Sequence, residues 1–153
     1  MMNYKFYDTI ELGEITDVTD PCYDADVWCR EKVWTFPGTY KCYVVEQDGR
    51  VVRSAIVHES VDIDSFKEDD WDYIGEIGVD AGLAGYFDNK PDFEDDEWLD
   101  LCDNVFGVDN YFLVPTQNGT GFATSTGWGD GCYPVDGVCD DQGQYAAIRI
   151  TFM

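Results

Sequence analysis

Tyr40-Lys41-Cys42-Tyr43-Val44-Val45-Glu46-Gln47-Asp48-Gly49-Arg50-Val51-Val52-Arg53-Ser54-Ala55-Ile56-Val57-His58-Glu59 is rich in β-branched and aromatic side chains and is broken once, at Asp48-Gly49. Asp-Gly between two such runs specifies a two-residue hairpin turn, because both central residues must take positive φ. The stretch therefore predicts two antiparallel strands, Tyr40 to Gln47 and Arg50 to Glu59, and sets the chain among β proteins.

Working outward, the same short-strand grammar recurs on both sides. Tyr4 to Asp8 and Glu14 to Thr19 alternate apolar and polar residues around Leu12-Gly13. Asp17 to Asp24 is a turn, since Pro21 fixes its own φ and drives Asp20 away from helix. Ala25 to Arg30 reads as one helical turn or a loop, and Thr35 to Thr39 as a Pro-Gly turn. Trp71 to Val79 resumes an apolar pattern, and the small residues between Asp80 and Tyr86 predict a strand approached closely by another backbone. Tyr111 to Val114, Gly121 to Thr126, Tyr133 to Val138 and Gln144 to Phe152 complete the strands. The exception is Asp92 to Val105, where Trp98, Leu101, Cys102 and Val105 follow helical spacing behind an acidic first turn. The expectation is one mainly β domain over residues 1–153, an antiparallel β-sandwich or barrel-like fold with one short acidic helix.

Composition narrows the function. A chain of 153 residues buries ~68–70% of its unfolded surface and needs no metal or disulfide to fold. Thirty-two acidic residues face nine basic ones, a net charge of −23. Such a field repels phosphate backbones and anionic lipid, so direct nucleic-acid binding and membrane association are not expected. It attracts a basic partner, or hard cations. No apolar run reaches the ~18 residues of a span, and the first residues lack the apolar core of a leader. The expectation is a cytoplasmic protein with its six cysteines mostly reduced.

Thr126-Gly127-Trp128-Gly129-Asp130-Gly131-Cys132-Tyr133-Pro134-Val135 sets glycines at alternate positions around a tryptophan and an aspartate, the mark of a forced, compact loop. This stretch, with Val79 to Asp88, resembles the domain of unknown function numbered 4241, a family of bacteria and phages. Asp20-Pro21-Cys22-Tyr23-Asp24 through Trp28-Cys29 is similar to short phage-encoded relatives of it. The resemblance implies a phage or mobile-element origin, with the host cell cytoplasm as its setting, and it implies no activity.

Candidate sites follow from residue chemistry. Trp128, Asp130 and Tyr133, with Asp80, Asp88, Tyr23 and Trp28, could frame a pocket for a small polar ligand such as a nucleotide signal, against the alternative of core packing and turn-capping aspartates. The acidic runs Asp62 to Asp72 and Asp92 to Asp103, represented by Asp69, Asp70, Asp95, Asp96 and Glu97, are solvated faces or a surface for a basic host protein. Cys22…Cys29 and Cys132…Cys139 share a spacing too wide for an ordinary zinc pair. His58 is the sole histidine, with no nucleophile loop beside it. No cofactor or metal is expected. The readings, in order, are a non-enzymatic accessory protein that binds a host protein, a ligand-sequestering pocket protein, and a metal-assisted hydrolase using the aspartates.

Overall fold

The computed structural model describes residues 3–20, 31–79, 82–88, 110–116, 119–127 and 129–152. Within them two antiparallel sheets stack as a sandwich, as the strand pattern predicts. The strands are β1 (Lys5–Leu12), β2 (Ile15–Thr19), β3 (Glu31–Trp34), β4 (Gly38–Gln47), β5 (Arg50–His58), β6 (Asp72–Val79), β7 (Leu83–Asp88), β8 (Tyr111–Thr116), β9 (Gly119–Ser125), β10 (Gly131–Cys139) and β11 (Tyr145–Thr151). Sheet A runs β1-β4-β5-β11-β10-β6 and sheet B runs β3-β2-β7-β9-β8. The helix expected over Asp92 to Val105 lies outside the described residues.

The β4–β5 hairpin turns as its sequence demands. Gln47 pairs with Arg50, and Asp48 and Gly49 take φ of 53° and 77°, the left-handed values that let a two-residue turn follow the twist of its strands. The close approach expected between Asp80 and Tyr86 is made at Gly85, where an added Cβ would lie 2.4 Å from the Phe122 carbonyl oxygen of β9.

Strand alternation then divides sheet A into two unlike faces. Val44, Ser54, Ile150 and Val135 lie in one cross-strand row on the inner face, next to the row of Cys42, Ile56 and Ile148. All of them are buried against Val18, Ala84, Tyr86 and Phe122 of sheet B. Full burial of such side chains is worth ~1.5–3 kcal/mol each, which makes this layer the main source of stability. One polar contact crosses it: the Tyr86 hydroxyl lies 2.9 Å from Ser54 Oγ and donates to the Ser54 carbonyl at 3.0 Å. Burial pushes the Tyr86 phenol far above its ordinary range, so it stays a neutral donor.

The opposite face of sheet A carries the row Tyr43, Ala55, Arg149, Asp136, Tyr73. The segment between β5 and β6, residues 59–71, folds back across this face as a strap of two short 3-10 turns, Ile63–Ser65 and Glu68–Asp70. At one edge, β3 leaves sheet B and hands over to sheet A. Thr35 bridges in parallel to Tyr145, Phe36 N donates to the Tyr145 carbonyl at 3.0 Å, and the buried Tyr40 hydroxyl is shared between the Phe36 carbonyl at 2.5 Å and the Tyr145 carbonyl at 3.0 Å.

Candidate functional site

The strap is where an acidic run of the sequence acquires a fixed shape. Ile63 is buried, and Val61, Phe66 and Trp71 pack beside it on Ala55, Val57 and Ala147 of the sheet. Phe66 and Trp71 meet edge to face, with ring centroids 5.7 Å apart. Backbone polar groups are satisfied locally by two of the acids: Asp62 Oδ1 accepts from Asp64 N at 3.0 Å, and Asp70 Oδ2 accepts from Lys67 N at 2.7 Å. Short acidic side chains do this readily, and so they start the two turns.

The strap is held down by charge as well. Arg149 is only 4% exposed, and each of its three guanidinium nitrogens donates a hydrogen bond. Nη2 and Nη1 donate to the two carboxylate oxygens of Glu68 at 2.6 and 3.2 Å, and Nε donates to Asp136 Oδ2 at 3.1 Å. The guanidinium carbon stands 4.5 Å from the centroid of the Trp71 ring, adding a cation–π contact. This two-pronged geometry is what a planar guanidinium offers and a lysine does not. Hydrogen bonding to Arg149, with smaller help from the charges of Arg149 and Arg53, holds the Glu68 carboxyl below the usual carboxylate range. Among the described residues the strap and the first residue of β6 present Glu59, Asp62, Asp64, Glu68, Asp69, Asp70 and Asp72 to solvent, with Lys67 the single base between them.

Three of the seven pocket residues expected from the sequence, Tyr133, Asp130 and Asp88, are among the described residues, and each has its own setting. Tyr133 is a core residue: it is 7% exposed, its ring meets Phe152 at 5.3 Å, and its hydroxyl donates to the Gly129 carbonyl at 2.7 Å. It faces inward because it alternates with Cys132 and Pro134 on β10, in register with Ile77. Asp130 is exposed at the entry to that strand. Asp88 accepts from Gly13 N at 3.1 Å and so closes the β1–β2 turn. Asp69 and Asp70 sit on the strap, while Tyr23, Trp28, Asp80, Asp95, Asp96, Glu97 and Trp128 lie outside the described residues. Gly129 has φ of 83°, and a Cβ on Gly127 would stand 2.7 Å from the Val51 carbonyl oxygen.

His58 is buried and locally engaged. Its Nδ1 accepts from Ser60 N at 3.1 Å and lies 2.7 Å from Ser60 Oγ, while Nε2–H donates to the Pro37 carbonyl at 3.2 Å. One lone pair shared between a backbone amide and the hydroxyl makes this a turn cap rather than an activated serine. Cys132 and Cys139 stand at opposite ends of β10, seven residues and therefore about 23 Å apart, too far to share one ion. Among the described residues no three His, Cys, Asp or Glu side chains converge as metal ligands.

Glu68, Arg149 and Arg53 are the residues that sequence reasoning passed over. A signal existed: Ala147-Ile148-Arg149-Ile150-Thr151 sets a base between two core isoleucines, which places it on the other face of a buried strand.

No family model matches the chain. No curated protein and no solved structure matches it either. Among the described residues no helix is long and apolar enough to cross a membrane.

Proposed function

We propose that this protein is a non-enzymatic binding module whose acidic strap engages a basic partner protein. The observation that carries the reading is the double anchoring of residues 59–71, through Ile63, Phe66 and Trp71 below and through Glu68 on Arg149. Carboxylates on a mobile tail lose conformational entropy when a partner orders them, whereas carboxylates on a seated strap have already done so. A net charge of −23 extends that local field and speeds encounter with a positive surface. The resemblance of the glycine loop and of Val79 to Asp88 to a family of bacteria and phages suggests a setting. In that setting the partner is a host protein with a basic groove, such as a defence or nucleic-acid enzyme, and the strap stands in for the phosphates that such a groove accommodates.

Asp64 and Asp69 are exposed and support neither the apolar anchors nor the Arg149 pair, so they separate binding from folding. The test is capture of a basic protein from host lysate at low and high salt by the native chain and by the Asp64→Lys, Asp69→Lys double variant. The expected result is retention of a basic protein at low salt, release at high salt, and a loss of at least ~10-fold in affinity on charge reversal. Binding that survives both changes sinks the proposal.

A further inference from the structure

One row beyond Arg149 on the outer face of sheet A, a second guanidinium lacks the partner that the first one has. Arg53 stands opposite Val45 of β4 and Thr151 of β11 and is 9% exposed. Its Nε donates to Thr151 Oγ1 at 3.0 Å and its Nη1 donates to the Tyr4 hydroxyl oxygen at 3.3 Å. Among the described residues no carboxylate pairs with it, in a chain holding thirty-two acids. Both hydroxyls accept from the guanidinium, so their own O–H bonds point elsewhere, and neither has an acceptor among the described residues.

The chemistry of this shell is one-sided. Among the described residues it consists of the remaining guanidinium N–H groups and two hydroxyl protons, all donors, with no acceptor hydrogen-bonded to them. Buried donors left in that state are costly, and an anionic oxygen is the acceptor that satisfies several at once. Access is open on one side, since Tyr4 and Thr151 are only half-buried while Arg53 lies beneath them. Glu68 is near enough for its carboxylate to feel the charge of Arg53, but its hydrogen bonds go to Arg149 and none is made to Arg53.

We infer that Arg53, Tyr4 and Thr151 form a subsite for a single small oxyanion, a carboxylate or a phosphate group. It is distinct from the acidic strap beside it. It gives an otherwise anion-repelling protein one place where an anionic group is received, with the guanidinium supplying charge and the two hydroxyls fixing direction.

The experiment follows arginine Nε–H resonances of the full chain while inorganic phosphate, and separately acetate, replaces chloride at constant ionic strength. The Arg53 signal is expected to move along a saturating curve, with the Arg149 signal moving less. Tyr4→Phe and Thr151→Val each remove one hydroxyl while conserving shape, and each is expected to weaken the midpoint about 5-fold. Arg53→Gln abolishes saturation in the remaining reporters. If Arg53→Gln does not fold, the two hydroxyl variants decide the matter. A tighter phosphate curve assigns a phosphate source, and a tighter acetate curve assigns a carboxylate. A linear drift without saturation, or a midpoint that neither hydroxyl variant moves, indicates an adventitious ion only and overturns the inference.

Discussion

The two faces of sheet A are built from the same strands and solve opposite problems. The inner face is a dry layer, with Ile56, Ile148, Ile150 and Val135 against sheet B and one tyrosine–serine contact through it. The outer face keeps Arg53 and Arg149 almost fully buried and satisfies Arg149 with two carboxylates and an indole ring. The difference teaches that the inner face is stabilised by area and the outer face by geometry. Apolar contacts tolerate small shifts, whereas an ion pair removed from water offsets its desolvation only when every donor is placed.

The contrast can be broken by substitution, beginning where the largest effect is expected. Phe122→Ala removes a fully buried ring that touches Tyr7 and Tyr86, and should cost ~3–5 kcal/mol in urea unfolding. Arg149→Met retains the bulk of the side chain but leaves Asp136 and Glu68 without their donor. A loss of about 2–3 kcal/mol is expected, together with easier proteolysis of the strap. A loss as large as that of Phe122→Ala, or none, would show that the outer face does not behave as described. Tyr86→Phe deletes the inter-sheet hydroxyl and strands Ser54 Oγ in the core, and should cost about 1–2 kcal/mol in the same measurement.

The smallest effect concerns acid. Glu68 has a folded carboxyl value below its unfolded one, so its contribution is fully present above the unfolded value of about 4.3 and disappears as pH falls through the lower folded value. Its side chain is 73% exposed, which limits that contribution to under about 1 kcal/mol. Urea midpoints of Glu68→Gln should therefore approach those of the native chain only in the acid limb. A constant gap at every pH would assign the effect to packing instead.

What the sequence disclosed was what nearest neighbours determine. Asp48-Gly49 and Gly129 take the positive φ of tight turns, which is a local requirement, while Gly85 and Gly127 are small where another backbone passes, so the residue type itself is the signal. β3 was not legible, because Glu31-Lys32-Val33-Trp34 buries only Val33 fully and owes its extended form to pairing with β2. Nor was the strap: that Asp62 to Asp72 lies on a sheet depends on Ala147 and Arg149, which are distant in sequence, as well as on the nearby Ala55 and Val57. For Tyr133 the sequence left pocket and core packing as alternatives, and the contacts that put it in the core are again long-range. Its neighbours in sequence are turn residues, whereas its neighbours in space are Phe152 and Ile77. The period-two spacing that puts Tyr133 on the same face as Val135 is the local signal for its inward position.

The handover at Thr35 and Tyr145 bears on how the molecule comes apart. A sandwich whose halves touch only through side chains can slide or peel as two plates, but here a continuous backbone is hydrogen-bonded into both of them. Neither plate can leave without tearing that stitch, so thermal opening is expected to be a single event, and amide protons on β2 and on β11 should exchange with solvent on one common clock.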